Sequence, residues 1–131
     1  THNGGMTREP VATPDAPAAI GPYSQGILAE GRLLFVSGQT PLRPDGEVER
    51  SSIAAQTEQC LANLRAILEA GGSSLANVVK TTVFLSDMGH FAEMNGTYKS
   101  AFGEVPPARS TVAVKGLPLG VDVEIEAIAL V

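Results

Sequence analysis

The feature that most restricts the fold is a hydrophobic period that switches twice in mid-chain. Ile53, Thr57, Cys60, Leu61, Leu64, Ile67 and Leu68 recur at three- and four-residue steps, the spacing of one helix face. Ser51 or Ser52 can cap the start of this amphipathic helix, and Gly71-Gly72 marks its end. The next stretch, "NVVKTTVFLSD" at 77–87, is dense in β-branched residues and reads as a core strand. Asp87 then offers a cap to a second helix, expected over roughly 90–102, with Phe91, Met94, Tyr98 and Phe102 as its apolar stripe. Asn95 lies beside that stripe and, if buried, needs a hydrogen-bond partner.

Strand signals flank this centre. In "AIGPYSQGILAEGRLLFVSGQT" two β-like runs surround "AEGR", which reads as a hairpin-type connection, and the apolar run 33–36 is expected to be buried on both faces. Downstream come "PPARSTVAV" at 106–114, the turn-rich "KGLPLG" at 115–120 and a last strand in "VDVEIEAIALV". The order ββ-α-β-α-β-β predicts an α+β fold with a mixed sheet and two helices packed on one face. Two helices cover one face only, so the other is expected to pack in an oligomer.

A chain of 131 residues is the size of one domain, assigned here to 16–131. Residues 1–15 are expected to be a flexible leader, with 1–5 a remnant placed ahead of a natural start at Met6. The net charge of −5, without any Lys/Arg cluster, argues against nucleic acid as a partner. Cys60 is the single cysteine, which rules out an internal disulfide and fits a reducing compartment; it sits in the helix's apolar stripe as a buried, inert thiol. Neither a signal-type segment nor a long apolar run occurs, so a cytoplasmic protein with no membrane partner is expected.

In the strand 108–114, Arg109 and Thr111 share one side, while Ala108, Ser110, Val112 and Val114 share the other. A guanidinium cannot shed its charge, so Arg109 needs an anion, either a protein carboxylate or a ligand. In the last strand Glu124 and Glu126 share a side with Ile128 and Leu130. They are either a solvated strand end or include a base whose pKa burial raises. Tyr23 in "GPYSQG" is a half-buried ring or a pocket wall. His90 has no second histidine or cysteine at ligand spacing, and no phosphate-binding glycine motif occurs, so no metal site and no cofactor are implied.

Six strings, "APAAIGPYSQG", "VSGQ", "VVKTTVFLSDM", "FAEMNGTY", "PPARSTVAV" and "VEIEAIA", stand in an order and spacing that resemble the RidA/YjgF family of enamine/imine deaminases over residues 16–130. The resemblance implies a chorismate-mutase-like unit assembled as a homotrimer with a site at each subunit interface. It implies hydrolysis of short 2-imino acids, such as 2-iminopropanoate and 2-iminobutanoate, to 2-oxo acids and ammonia, protecting pyridoxal-phosphate enzymes. By position, Arg109 matches the arginine that grips the substrate carboxylate and Glu124 the glutamate near the imine carbon. Tyr23, Ser37 and Asn95 match other pocket positions, and Gly38 and Pro118 match shape-keeping ones. The departure is Thr111, where many relatives carry cysteine; threonine keeps the backbone N–H that the family uses there. A non-catalytic 2-oxo acid-binding trimer is the alternative. A ribonuclease or translation inhibitor fits less well, because this acidic chain lacks a histidine pair and a basic groove.

Overall fold

A computed structural model describes residues 2–3 and 6–131 of the chain. Its elements are β1 (His2–Asn3), β2 (Met6–Val11), β3 (Gly26–Glu30), β4 (Leu33–Gln39), α1 (Ile53–Ala70), β5 (Val78–Leu85), α2 (Phe91–Tyr98), β6 (Ala108–Ala113) and β7 (Val123–Leu130). From β3 onward this is the order read from the sequence. Among the described residues the strands form two sheets, β1-β2-β3 and β4-β7-β5-β6. In the larger sheet β7 runs antiparallel to both β4 and β5, whereas β5 and β6 are parallel, with α2 in the crossover.

The local chemistry of α1 follows its sequence. Ser52 is extended and its Oγ accepts the Ala55 N–H at 2.9 Å, satisfying one of the donors a helix start leaves open. At the other end the Gly71 N–H closes on Ile67 and Leu68, and Gly72 takes φ +86°, a conformation that glycine adopts without penalty. Both helices lie on one face of the sheet. Leu64 and Leu68 of α1 and Met94 and Tyr98 of α2 are buried with Val83, Leu85, Val123 and Ile125 in a single core. Each such aliphatic side chain contributes about 1.5–3 kcal/mol through burial, so this layer dominates stability. Cys60 is fully buried here, and burial pushes its thiol up to about 12, as expected of an inert sulfur.

Several expectations need correction. The leader was expected to be flexible through residue 15, but Met6–Val11 is a strand paired with Gly26–Glu30. Ahead of it His2–Asn3 pairs with Thr7 and Met6, and positions 1, 4 and 5 lie outside the described residues. The "AEGR" connection is not a hairpin: β3 pairs with β2, β4 pairs with β7, and Gly31 at φ +138° turns the chain between the sheets. Nor is the run 33–36 buried on both sides, because with both helices on the opposite face Phe35 stays 69% exposed and Leu33 50%. Finally, α2 ends at Tyr98 rather than near 102. There the Ala101 N–H bonds Tyr98 O three residues back, a tightened last turn, and Phe102 joins the core from the loop, its ring 4.8 Å from that of Tyr98. No helix among the described residues is long and apolar enough to cross a membrane.

Candidate anion site at the sheet edge

β6 is an edge strand, and its in-register neighbour β5 fixes where its side chains point. Arg109 pairs with Thr81 and Thr111 with Val83, both on the helix-covered face. Their side chains therefore emerge beside α2, where Ile20, Tyr23, Phe91, Arg109 and Thr111 line a pocket of about 230 Å³. The loop carrying Tyr23 is fastened to the start of β6 by Ser24, whose N–H donates to Pro107 O at 3.1 Å and whose Oγ donates to Pro106 O at 2.6 Å. The loop backbone runs beside the guanidinium: a Cβ at Gly21 would lie in ordinary contact, 3.5 Å from Arg109 Nη2.

The guanidinium has a neutral seat. Arg109 Nη1 donates to Asn95 Oδ1 at 2.6 Å, and Cζ lies 4.8 Å from the Tyr98 ring centroid and 5.6 Å from those of Tyr23 and Phe91. The ion pairs among the described residues join Arg43 to Glu49 and His90 to Asp122, and neither involves Arg109. Burial lowers the Arg109 pKa, offset by the two tyrosines, but an arginine remains charged. Burial likewise pushes the Tyr98 hydroxyl up to about 12, against a hydrogen bond with Thr81 and the charge of Arg109, so this ring stays neutral. The result is a half-buried cation whose aromatic and amide partners leave its charge uncompensated. A larger groove of about 510 Å³ beside residues 10–14 has no charged side chain in its lining and is less suited to chemistry.

Glu124 is elsewhere. It pairs with Phe84, which pairs with Val112, so the Glu124 row is three residues from the Arg109 row and faces the opposite side of the sheet. Burial raises the Glu124 pKa, and the neighbouring charge of Glu126 raises it further. Gly38 belongs with it: a Cβ at that position would meet Glu124 Oε2 at 2.0 Å, so only glycine lets the carboxylate lie across β4. Ser37 is exposed and shares a shallow cavity with Phe35 and Glu126 on this open face. Pro118 opens the exposed turn Pro118–Gly120 and lines neither cavity.

Within one chain the fold thus gathers Tyr23, Asn95, Arg109 and Thr111, and it sets Ser37, Gly38, Glu124 and Pro118 apart from them. The sequence reading missed Ile20 and Phe91 as pocket walls and Tyr98 as the base under Arg109. Phe91 and Tyr98 sit seven residues apart on the α2 stripe, a spacing that reads as core, and only the packing reveals that both ring faces meet a cation. Among the described residues no group of three or more His, Cys, Asp or Glu is placed to hold a metal ion.

Fold and site together define a small α+β domain holding a half-buried guanidinium in an aromatic pocket at the edge of a mixed sheet. A family model described as Endoribonuclease L-PSP matches residues 13–131, and the chain belongs to this family, RidA/YjgF. It is 52% identical over 121 residues to a RutC-family protein of Sinorhizobium fredii, covering 92% of this chain and 95% of that one. It is 49% identical over 124 residues to the 2-iminobutanoate/2-iminopropanoate deaminase of Escherichia coli K12, covering 92% and 95%. The crystal structure of the YjgF gene product of E. coli superimposes with a TM-score of 0.72 at 47% identity, over 93% of this chain and 98% of that one.

Proposed function

We propose that this protein hydrolyses short 2-imino acids, such as 2-iminopropanoate and 2-iminobutanoate, to 2-oxo acids and ammonia. The observation that carries the reading is the uncompensated Arg109 in a pocket of about 230 Å³, a volume suited to a small monocarboxylate. A guanidinium binds a carboxylate through two parallel hydrogen bonds and so fixes its plane. The name of the 49% identical E. coli relative supports the choice of reaction.

Arg109 and Glu124 face opposite sides of the sheet, so the catalytic set is completed by Glu124 of a neighbouring copy, in a homotrimer with one site at each interface. The exposed apolar side chains Leu33, Phe35 and Val112 give that assembly a surface to bury. In the reaction the raised pKa of Glu124 suits it to take a proton from water as the oxygen bonds to the imine carbon. The C=N bond becomes a C–N single bond and nitrogen is protonated. Ammonia then leaves as the new hydroxyl loses its proton and the C=O forms. Orientation supplies much of the acceleration, since imines already hydrolyse in water. Acting in the cytoplasm, such an enzyme removes species that attack pyridoxal-phosphate enzymes.

The test couples the protein to an imine-generating amino-acid oxidase and times semicarbazone trapping. The expected outcome is faster loss of the imine with wild type, abolished in both Arg109→Ala and Arg109→Lys. Lysine keeps the charge but not the two-pronged geometry. Unchanged trapping with wild type would favour ligand binding without turnover, and full activity in either variant would remove Arg109 from the mechanism.

A further inference from the structure

The chain enters β6 through Val105, Pro106 and Pro107, and the two prolines have no N–H to donate. The carbonyls of this segment are held one by one. Val105 O accepts from Arg8 Nη2 at 2.7 Å, Pro106 O from Ser24 Oγ at 2.6 Å and Pro107 O from the Ser24 N–H at 3.1 Å. All three donors belong to β2 and to the loop that carries Tyr23, not to the sheet that β6 joins.

Arg8 reaches further. Its Nε and Nη2 also donate to Val78 O at 3.0 and 2.8 Å, at the first residue of β5, where that strand shifts register against β7. Among the described residues β6 pairs with β5 alone, and their parallel ladder begins just beyond this point, at Lys80 and Ala108. One planar guanidinium thus spans the mouth of the ladder and sets how far apart its two strands start. Arg109 is the second residue of β6, and Tyr23 directly precedes Ser24. A displacement at the mouth therefore moves two walls of one pocket against each other. We infer that Arg8, which does not line that pocket, is a positioning residue for it: by bridging Val78 and Val105 it places Arg109 against Tyr23 and so governs the grip on a bound carboxylate. The inference rests on the proposed binding of 2-imino and 2-oxo acids beside Arg109. A residue that merely fastened the small sheet to the large one would change stability and leave the affinity of the folded protein alone.

Calorimetric titration with 2-oxobutanoate, melting, solution mass and hydrogen exchange at the Ser24 amide test this in Arg8→Met, Arg8→Lys and Ser24→Ala. Arg8→Met removes the bonds to Val78 and Val105 but keeps an unbranched apolar stem. It is expected to keep the wild-type mass, exchange the Ser24 amide roughly tenfold faster and bind about tenfold more weakly. Arg8→Lys keeps the charge without the planar fork and is expected to bind at least about threefold more weakly. Combining Arg8→Met with Ser24→Ala is expected to cost less affinity than the product of the two single losses, because both act through one segment. Wild-type affinity in folded Arg8→Met, whatever its melting temperature, overturns the inference and leaves Arg8 a fastening between sheets. So does wild-type affinity in Arg8→Lys, which carries the test if Arg8→Met does not fold, and so do losses that multiply in full. A wild-type protein that binds no 2-oxo acid overturns the proposed function; Ser24 exchange then decides the clamp alone, an unchanged rate in Arg8→Met overturning it.

Discussion

Arg109 and Glu124 sit three register rows apart on opposite faces of one sheet, so a single chain cannot bring them to one small ligand. This relationship makes the assembly testable without a structure of it. Arg109→Ala and Glu124→Gln homomers are each expected to be inactive. After subunit exchange between equal amounts of the two, an interface pairing an intact Arg109 with an intact Glu124 arises by chance in about one quarter of sites. Recovery of about a quarter of wild-type activity is therefore expected, and a mixture that stays inactive after proven exchange would place both groups within one chain.

Gly38→Ala should strike Glu124 without touching Arg109. The added Cβ meets the Glu124 carboxylate at 2.0 Å, and relieving that overlap moves either the carboxylate or β4. The carboxylate is the free end of a flexible side chain on the open face, so it is the group expected to move, with little loss of stability. The expected result is a folded protein with its kcat reduced at least about tenfold and its affinity for 2-oxobutanoate little changed, measured by trapping kinetics and calorimetry.

The buried pair of Thr81 and Tyr98 should behave as a unit. Their hydroxyls meet at 2.6 Å, so removing either one strands the other. Thr81→Val or Tyr98→Phe alone is expected to cost about 1–3 kcal/mol in urea denaturation, and the double variant less than the sum of the two. Tyr98→Phe keeps the ring under Arg109, so ligand affinity should survive the loss of stability.

The acid side of the pH profile should report Glu124. Burial and then Glu126 raise its pKa, so the carboxylate needed as base is lost as pH falls through a value above that of an ordinary glutamate. Glu126→Gln removes the neighbouring negative charge and is expected to shift the acid limb of kcat/KM to lower pH. The sign for stability is the reverse. The folded state holds this proton more tightly than the unfolded chain, so the contribution is full below the unfolded pKa and disappears as pH rises through the folded one. An acid limb that does not move in Glu126→Gln would assign it to another group.

Local signals carried far in this chain. The steps from Ile53 to Leu68, the Ser52 cap and the glycine pair at 71–72 gave α1 its bounds, because period, cap and stop are properties of neighbours in sequence. Alternation alone put Arg109 and Thr111 on one side of β6 and Glu124 and Glu126 on one side of β7. The same signals misread the leader, the "AEGR" turn and the run 33–36, where the outcome depended on which distant strand or layer was available as a partner.

What the sequence determined by itself is therefore the succession of elements and the face on which each polar group stands, both set by backbone geometry over a few residues. Tertiary structure alone decided which faces meet. It turned the α2 stripe into an aromatic seat for a cation, left that cation without a carboxylate partner among the described residues, and set Arg109 and Glu124 on opposite sides of the sheet. The reason is physical: charge compensation and burial depend on contacts between residues far apart in the chain, and no local period encodes those.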